Sequence, residues 1–451
     1  MKNICFIANF EKTAFFESIA QKLLEQKNYN IYWLVVNKKQ SEKLKLKFGD
    51  ENVCLINKKV NCNYFNKELI NKIKLNEILF QDRSLNEGSK DDLNYLELAT
   101  SKIYEFLNIN NIKYIYGELT WAHELITLKI CDLNKNLNCK FFSPSTIRFP
   151  LDHFLFFTNS EQSKFFKRSI KFEEKISKST ENYLSLVQNI RPKNLYYSYE
   201  FIFKKIKKIF YEDYFDKHDP TRISRIRRGL KLFNKFINLF LFNFISKKNL
   251  NYLKKKKYII YFLQKQPEAS IDVKGAYYEN QFVNFRNLWR LVPSDFKILI
   301  KEHPNSIGDN NLIFYRNFTK FNNSILIADM DNFESIVTDA FATFSVASTA
   351  SMQSAMLNVP SFTLSNCFFN EMKFSHRISL EEIKNFKNIY ELMDLFYKVN
   401  EMKNNYEQSN FVKNSFNGKI IGDGKFENNN LVKVMNAFIE TTIQSDETNS
   451  K

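Results

Sequence analysis

The sequence predicts an α/β protein with two Rossmann-like domains that are joined by a basic helical connector. Short apolar runs alternate with amphipathic stretches in the first third of the chain, and the alternation returns after Tyr258. Between these regions lies a basic, aromatic stretch without strand-like alternation. The 451 residues are also too many for one ordinary hydrophobic core. Two domains and a connector account for all three observations.

The first domain is predicted to cover residues 1–160. Its strands are short runs rich in β-branched and aromatic residues, and its helices place apolar residues at a spacing of three and four. The predicted strands are Ile4–Ala8, Asn30–Val36, Lys113–Tyr116 and Lys140–Phe142. The predicted helices are Phe15–Glu25, Leu93–Leu107 and Trp121–Asn134. This order is typical of a parallel sheet covered by helices.

Residues 161–257 are predicted to form the basic helical connector. Its last part, Leu230–Ile245, is rich in Leu, Phe and Ile and is interrupted by Lys and Asn. Such a segment, next to a basic run, is typical of a helix in an anionic membrane interface. An ordinary helix that covers the interdomain core with its lysines in solvent fits the same pattern. Both interpretations remain open.

The second domain is predicted to cover residues 258–385, followed by helices and a polar tail over residues 386–451. Strand-like alternation resumes at Tyr258, with two helices among the strands. The predicted strands are Tyr258–Leu263, Phe296–Ile300, Ser324–Ala328, Ala342–Val346 and Pro360–Leu364. The predicted helices are Glu279–Leu291 and Met352–Leu357.

The composition narrows the classes of function. A net charge of +17 indicates an anionic partner: a nucleic acid, a membrane surface or a phosphorylated substrate. A generic Lys/Asn surface in contact with solvent is the alternative explanation of this charge. No zinc module, RRM-like pattern or basic zipper is visible, so we expect no nucleic-acid partner. The absence of GxGxxG and Walker motifs argues against nicotinamide dehydrogenases and P-loop nucleotidases.

Metal sites and membrane spans are not expected either. The six cysteines form no CxxC pair, and Asp329-Met330-Asp331 has the bare spacing of a metal clamp but follows a weak strand. We therefore interpret this segment as a loop or cap and predict no metal site. The chain start lacks a long apolar segment, and no apolar stretch could span a bilayer. A cytoplasmic location is expected, and peripheral attachment to the inner face of the cytoplasmic membrane is the alternative.

Cationic and hydroxyl side chains follow two predicted strands of the second domain. Lys301 and His303 come directly after one strand, and Ser348-Thr349-Ala350-Ser351 follows another. Open α/β sheets bind ligands at the carboxyl ends of their strands, and a helix start presents free N–H groups to anions. We therefore predict a phosphate-binding site formed by Lys301, His303, Ser348, Thr349 and Ser351. Gln353, one helical turn on, is expected to hydrogen-bond a ribose.

A carboxylate ends a predicted strand of the first domain. Glu118 follows the strand at Lys113–Tyr116, and Glu124 lies on the next predicted helix. An acceptor hydroxyl that acts as nucleophile needs a base, and a carboxylate at a strand end can supply one. Glu118 is the first candidate for this base and Glu124 the second. A helix-terminal charge that interacts with the helix dipole is the alternative role for Glu118.

These motifs together resemble the bacterial capsule polysaccharide biosynthesis family, whose members carry a His-Pro motif. In the second domain the similar segments are Tyr261–Ser270, Gln281, Lys301-Glu302-His303-Pro304 and Ser348–Pro360. In the first domain they are Gly117–Thr120, Glu124 and Arg148–Pro150. The connector has no counterpart in this resemblance. The sequence departs from the family pattern at Ser351, Gln353 and Asn358, where Gly, Glu and Gly are expected.

The resemblance implies a GT-B-like fold, in which two Rossmann-like domains face a cleft, and a metal-independent glycosyltransferase. The sugar would pass from a nucleotide donor, often a CMP-sugar, to a surface polysaccharide or lipooligosaccharide, with a glycan or glycolipid as acceptor. Gln266 and Glu268 join the donor-binding residues on this basis, and no other cofactor is implied. Two alternatives remain: a CDP-polyol phosphotransferase of the teichoic-acid type, and a non-catalytic, membrane-associated assembly protein.

Overall fold

The chain forms two compact units, each built around its own β-sheet. The computed structural model describes residues 1–9, 12–62, 65–85, 90–169, 199–210, 216–247, 257–328, 333–405 and 408–447. The first unit comprises the described parts of Met1–Lys175, Tyr214–Ile223 and Phe411–Lys451. The second comprises those of Ile176–Asp213 and Ser224–Asn410. The predicted class, α/β with two parallel-sheet domains, is confirmed.

The first sheet has the strand order β13-β6-β5-β4-β1-β2-β3. Its strands are β1 Lys2–Ala8, β2 Tyr29–Val35, β3 Val53–Leu55, β4 Tyr114–Tyr116, β5 Lys140–Thr146, β6 His153–Phe157 and β13 Phe416–Asn417. Strands β1 to β5 are parallel, whereas β6 and β13 extend the edge in antiparallel pairing. The winding direction reverses between β1 and β4, so the residues after these strands meet at a switch point.

Helices cover this sheet, and three of them lie where the sequence predicts helices. They are α1 Thr13–Glu25, α2 Lys38–Phe48, α3 Lys67–Lys72, α4 Leu75–Gln81, α5 Lys90–Ile109, α6 Ala122–Leu133 and, near the chain end, α16 Asn410–Lys413 and α17 Asn428–Glu447. Aromatic rings dominate the core beneath α1 and α17. The Phe6 ring lies 5.4 Å from Trp33, and the Tyr116 ring lies 4.6 Å from Phe438. The abundant phenylalanines are therefore used as core material in this unit.

The end of the chain returns to the first unit. Strand β13 pairs with β6, and α17 packs against α1. Tyr116 forms a 2.6 Å hydrogen bond with the Thr441 hydroxyl, and Arg168 forms a bidentate ion pair with Glu440 at 2.8 and 2.9 Å. The sequence predicts only helices and a polar tail for residues 386–451. The strand β13 and the return to the first sheet are findings of the structure.

The second sheet consists of six parallel strands in the order β12-β11-β10-β7-β8-β9. The strands are β7 Tyr258–Phe262, β8 Lys297–Lys301, β9 Ser324–Ile327, β10 Ala342–Ser345, β11 Ser361–Thr363 and β12 Ser375–Arg377. The chain winds outward from β7 through β8 to β9, and then returns to place β10 on the other side of β7. The switch point of this sheet therefore lies between β7 and β10.

The helices of the second unit surround this sheet. They are α7 Tyr199–Phe210, α8 Arg225–Ile245, α9 Ala269–Asp272, α10 Gln281–Trp289, α11 Leu312–Thr319, α12 Phe333–Thr338, α13 Thr349–Met356, α14 Leu380–Ile383 and α15 Ile389–Glu401. The described part of the predicted connector includes α7 and α8, whereas residues 170–198, 211–215 and 248–256 lie outside the described residues. Among the helices that the structure describes, none is long and apolar enough to cross a membrane.

Helix α8 is anchored on the second unit at Gly308. This glycine has a φ of +87°, and a Cβ added to it would lie 2.8 Å from the Lys235 carbonyl oxygen and 3.3 Å from the Leu239 Cβ. The Lys235 ammonium also pairs with Asp309 at 2.7 Å. Both the left-handed backbone and the close approach of the helix require glycine at this position. The loop after β8 and helix α8 are therefore packed backbone against backbone.

Replacing Gly308 with Ala is expected to lower stability by about 1–3 kcal/mol, because the methyl group strains the backbone and collides with α8. The matched control is Gly229→Ala inside α8, where an added Cβ meets nothing within 4 Å. That change should raise stability by roughly 0.5–1 kcal/mol through helix propensity. Chemical denaturation of both variants measures the difference. Equal stability of the two variants would contradict the close packing of α8 on Gly308.

Candidate functional site

A polar pocket lies at the switch point of the second sheet, at the carboxyl ends of β7, β8 and β10. Its cavity volume of about 50 Å³ has room for a few water molecules, and so for a phosphate group. The pocket is lined by Phe262, Leu263, Lys301, Glu302, His303, Pro304, Phe333, Ser348, Thr349, Ala350 and Gln353. Five of the predicted donor-binding residues meet here: Lys301, His303, Ser348, Thr349 and Gln353. We call it the switch-point pocket.

The His303 side chain is oriented by the turn that follows it. Its Nδ1 accepts a hydrogen bond from the Asn305 backbone N–H at 3.2 Å, within a 3-10 turn that begins at Pro304. A ring nitrogen that accepts a hydrogen bond carries no proton, so the neutral imidazole is protonated on Nε2. This tautomer donates a hydrogen bond from Nε2, as binding to a phosphate oxygen requires.

The buried Glu302 side chain holds the His303 loop in place through hydrogen bonds. Its Oε1 accepts the His303 backbone N–H at 2.8 Å, and its Oε2 accepts from the Tyr315 hydroxyl at 2.7 Å and from the Asn310 amide at 3.0 Å. Burial raises the pKa of this carboxyl, while the three donors act in the opposite direction. The carboxylate thus joins β8 to α11. The sequence motif contains Glu302, but nothing in the sequence identifies its partners.

The start of α13 forms the opposite wall of the pocket. Ser348 is the N-cap, and its hydroxyl accepts the Ala350 N–H at 3.1 Å. The Thr349 hydroxyl and the Gln353 carboxamide line the pocket and have no hydrogen-bond partner among the described residues. Unsatisfied donors at a helix N-terminus favour an anionic ligand, because the positive end of the helix dipole adds to them. The wall is therefore chemically complementary to a phosphate.

A glutamine pair connects β7 to the α13 wall. The Gln264 side-chain oxygen accepts the Ala347 N–H at 2.7 Å, directly before the Ser348 cap. Gln281 in turn holds the Gln264 backbone through two hydrogen bonds, of 2.7 and 3.0 Å. Both glutamines are buried. They fix the position of the hydroxyl segment relative to β7 and act as positioning residues for the pocket.

Three other predicted donor-binding residues lie outside the pocket lining. Ser351 is fully buried and bonds the Ser345 hydroxyl at 2.7 Å. Gln266 donates to Asp272 at 2.9 Å, and the Glu268 carboxylate accepts from the Ser270 hydroxyl at 2.9 Å. The Gln266 and Glu268 contacts belong to the short loop and helix after β7, whereas the Ser351 contact joins α13 to β10. Their assignment to donor binding stays a prediction.

The predicted base residues come together at the switch point of the first sheet. Asn9, which follows β1, donates through Nδ2 to Glu118 Oε2 at 2.8 Å and to Glu124 Oε1 at 3.2 Å. The Lys12 ammonium lies 3.6 Å from Glu118 Oε1, and the Glu118 side chain is 27% exposed. A partly exposed carboxylate held by an amide and a lysine is accessible to a ligand. Nothing in the sequence singles out Asn9 and Lys12, because neither belongs to a recognised motif.

Glu124 is in a different environment. It is fully buried, and its Oε2 accepts the backbone N–H groups of Thr120 and Trp121 at 2.9 and 3.0 Å. Burial, and then the neighbouring Glu118 charge, raise the pKa of Glu124 to about 8. The group is therefore protonated at neutral pH and caps the start of α6. Its geometry favours a structural role, and Glu118 remains the candidate for the base.

The described residues contain no group of three or more His, Cys, Asp or Glu side chains that could hold a metal ion. The segment Asp329-Met330-Asp331, which the sequence analysis interprets as a loop or cap, lies outside the described residues. The six cysteines all lie within the described residues and form no disulfide bond there.

Comparison with known structures finds matches of low identity over almost the whole chain. The Thermosulfurimonas dismutans KpsC β-Kdo 2,7-transferase is 9% identical, with 97% of this chain and 99% of that chain covered and a TM-score of 0.38. The UDP-N-acetylglucosamine 2-epimerase of Rickettsia bellii is 11% identical, with coverages of 100% and 98% and a TM-score of 0.31. The UDP-GlcNAc 2-epimerase of Methanocaldococcus jannaschii is 13% identical, with coverages of 97% and 99% and a TM-score of 0.24.

The sequence itself matches no protein-family profile and no curated protein.

Tyr315→Phe should loosen the His303 loop, because it removes one of three donors to a buried carboxylate. We expect a loss of stability of about 1–2 kcal/mol together with weaker binding of phosphate-containing ligands. Tyr95→Phe is the matched control, since that buried hydroxyl donates to the Ile56 carbonyl in the first unit. It should cost similar stability and leave ligand binding unchanged. Unchanged ligand affinity in Tyr315→Phe would show that Glu302 does not position His303.

The raised pKa of Glu124 predicts a pH dependence of stability. Between the ordinary glutamate pKa and about 8, the folded protein holds a proton that the unfolded chain releases. Stability should therefore fall as the pH rises through this range, by at least about 1 kcal/mol from this group. Denaturation at pH 5, 6.5 and 8 should show a smaller fall for Glu124→Gln than for the wild type. Glu25→Gln, at an exposed carboxylate, should follow the wild type.

Proposed function

We propose that this protein is a glycosyltransferase that uses a nucleotide-activated sugar to extend a bacterial surface glycan. The observation that carries the proposal is the switch-point pocket, where Lys301, His303 and the start of α13 surround one phosphate-sized space. A nucleotide sugar presents phosphates to its enzyme whatever its base or sugar. The resemblance of the sequence motifs to capsule polysaccharide biosynthesis proteins supplies the acceptor class, a surface polysaccharide or lipooligosaccharide.

The pocket suits the departure of a nucleotide. In the proposed reaction the bond between the anomeric carbon and the phosphate oxygen breaks, and negative charge accumulates on the phosphate. Lys301, the Nε2–H of His303 and the N-terminal N–H groups of α13 stabilise this charge more strongly than that of the intact donor. The Gln353 carboxamide is suited to hydrogen-bond the ribose. These groups act on the leaving group and not on the sugar.

Glu118 is the proposed general base for the acceptor. The acceptor hydroxyl attacks the anomeric carbon, and its proton passes to a carboxylate as the new glycosidic bond forms. Glu118 is partly exposed, whereas Glu124 is buried and accepts backbone N–H groups at the start of α6. Among the two candidates, only Glu118 presents carboxylate surface to a ligand.

Nucleotide binding should depend on Lys301 and not on Lys297, which lies at the opposite end of the same strand β8. We expect CMP, CDP, UDP or GDP, or one of their sugar conjugates, to raise the melting temperature of the wild type. Lys301→Met and His303→Ala should each weaken that affinity about tenfold or more, because a hydrogen bond to a charged group contributes ~1.5–3 kcal/mol. Lys297→Met should bind like the wild type.

Equal nucleotide affinity in Lys301→Met, Lys297→Met and the wild type would place the donor elsewhere and overturn the proposal. The reaction product adds a second criterion. A glycosidic bond in the product is expected, whereas a phosphodiester would identify the protein as a polyol-phosphate transferase.

A further inference from the structure

The outer face of α8 carries a continuous row of large apolar side chains in solvent. The six side chains are between 42% and 84% exposed. They recur at alternating intervals of four and three residues, which places them along one line over about five helical turns. They are Ile226, Leu230, Phe233, Ile237, Phe240 and Phe244. We call this row the outer stripe.

The outer stripe is distinct from the face that folds the helix. Leu239 and Phe242 are buried in the core of the second unit, and the Phe242 ring lies 5.2 Å from Tyr315. At 100° per residue these two positions lie roughly half a turn around the helix from the outer stripe. Packing of α8 on its own unit therefore does not account for the stripe. A contiguous apolar surface of this kind marks an interaction site.

The charges of α8 identify the class of partner. The helix contains three Arg and two Lys and no acidic residue, and the adjacent α7 contains four Lys and one Glu. Arg225, Arg227 and Lys231 on α8 are exposed. A second copy of this chain packed parallel on the stripe would bring these cations together, and the net charge of +17 opposes self-association in any orientation. The partner must combine an apolar interior with an anionic surface.

We propose that the outer stripe binds the surface of anionic phospholipid bilayers. Its Phe, Ile and Leu side chains enter the boundary between headgroups and acyl chains, and Arg225 and Arg227, which lie about 100° around the helix on either side of the stripe, meet lipid phosphates. The helix lies in the plane of the interface. This proposal stands independently of transferase activity, because it depends on α8 and not on the switch-point pocket.

The test is sedimentation of the full-length protein with phosphatidylcholine vesicles, with and without phosphatidylglycerol. Binding is expected only with phosphatidylglycerol. The triple variant Phe233→Ser, Phe240→Ser, Phe244→Ser should bind at least about tenfold more weakly, since three buried aromatic side chains are lost from the interface. The matched control replaces two exposed apolar residues of the first unit, Leu46→Ser and Phe80→Ser, and should bind like the wild type. The thermal stability of each variant serves as the folding check.

A fluorescent probe reports insertion directly. None of the three tryptophans lies on α8, so Phe240→Trp adds a signal in the C-terminal half of the stripe. Its emission should shift to the blue with anionic vesicles and be quenched by brominated lipid. Vesicle binding that the triple variant retains and high salt abolishes would assign attachment to charge alone and overturn the proposal. The proposal would also be overturned if the wild type did not bind vesicles and instead formed a dimer that the triple variant loses, or bound an acidic protein.

Discussion

The switch-point pocket of the second unit depends on the hydrogen bonds of the buried Glu302 carboxylate. This carboxylate joins the end of β8 to α11 and to the loop at Asn310 through three hydrogen bonds. Burying a carboxylate without such donors would cost several kcal/mol of folding free energy, so Glu302 is stable in this position only because of its three hydrogen-bond donors. Tyr315, one of the donors, also packs on α8. One acidic side chain therefore fixes His303 and connects it to the helix behind it.

The two sheets use their switch points differently. In the first unit carboxylates close the start of α6, because Asp82 accepts the Ala122 N–H and Glu124 accepts the two N–H groups just before the helix. In the second unit the start of α13 lines a pocket, and the side chains that accept N–H groups there, Gln264, Ser345 and Ser348, are uncharged. The switch point carries an acidic cluster in the first sheet and a pocket complementary to an anion in the second. This difference in polarity supports the proposed roles of Glu118 as a base and of the switch-point pocket as a phosphate site.

Strong local patterns explain what could be predicted from the sequence. Strands β1, β2, β7 and β8 are buried apolar runs, and Ser348 is an N-cap whose identity is visible in the sequence. Strand β13, with two residues, and the return of α17 depend on pairing with distant strands that no local pattern encodes. The roles of Gln264 and Glu302 escape for a similar reason, since their partners lie far along the chain or have no characteristic spacing.

The sequence shows the segment Leu230–Ile245 of α8 as rich in Leu, Phe and Ile, but it cannot tell which of these side chains meet the core. The structure separates them, because Leu239 and Phe242 are buried and Phe240 and Phe244 are exposed. Residues that looked alike in the sequence therefore have different roles.

The contact between α8 and Gly308 joins the helix to the loop that follows His303. Coupling between two binding sites is reciprocal. If a ligand of the pocket shifts the position of this loop, it changes the affinity of α8 for its own partner by a given factor. Linkage then requires the partner of α8 to change the affinity of the pocket by that same factor. Gly308, which touches neither ligand, is the residue at which this exchange would be set.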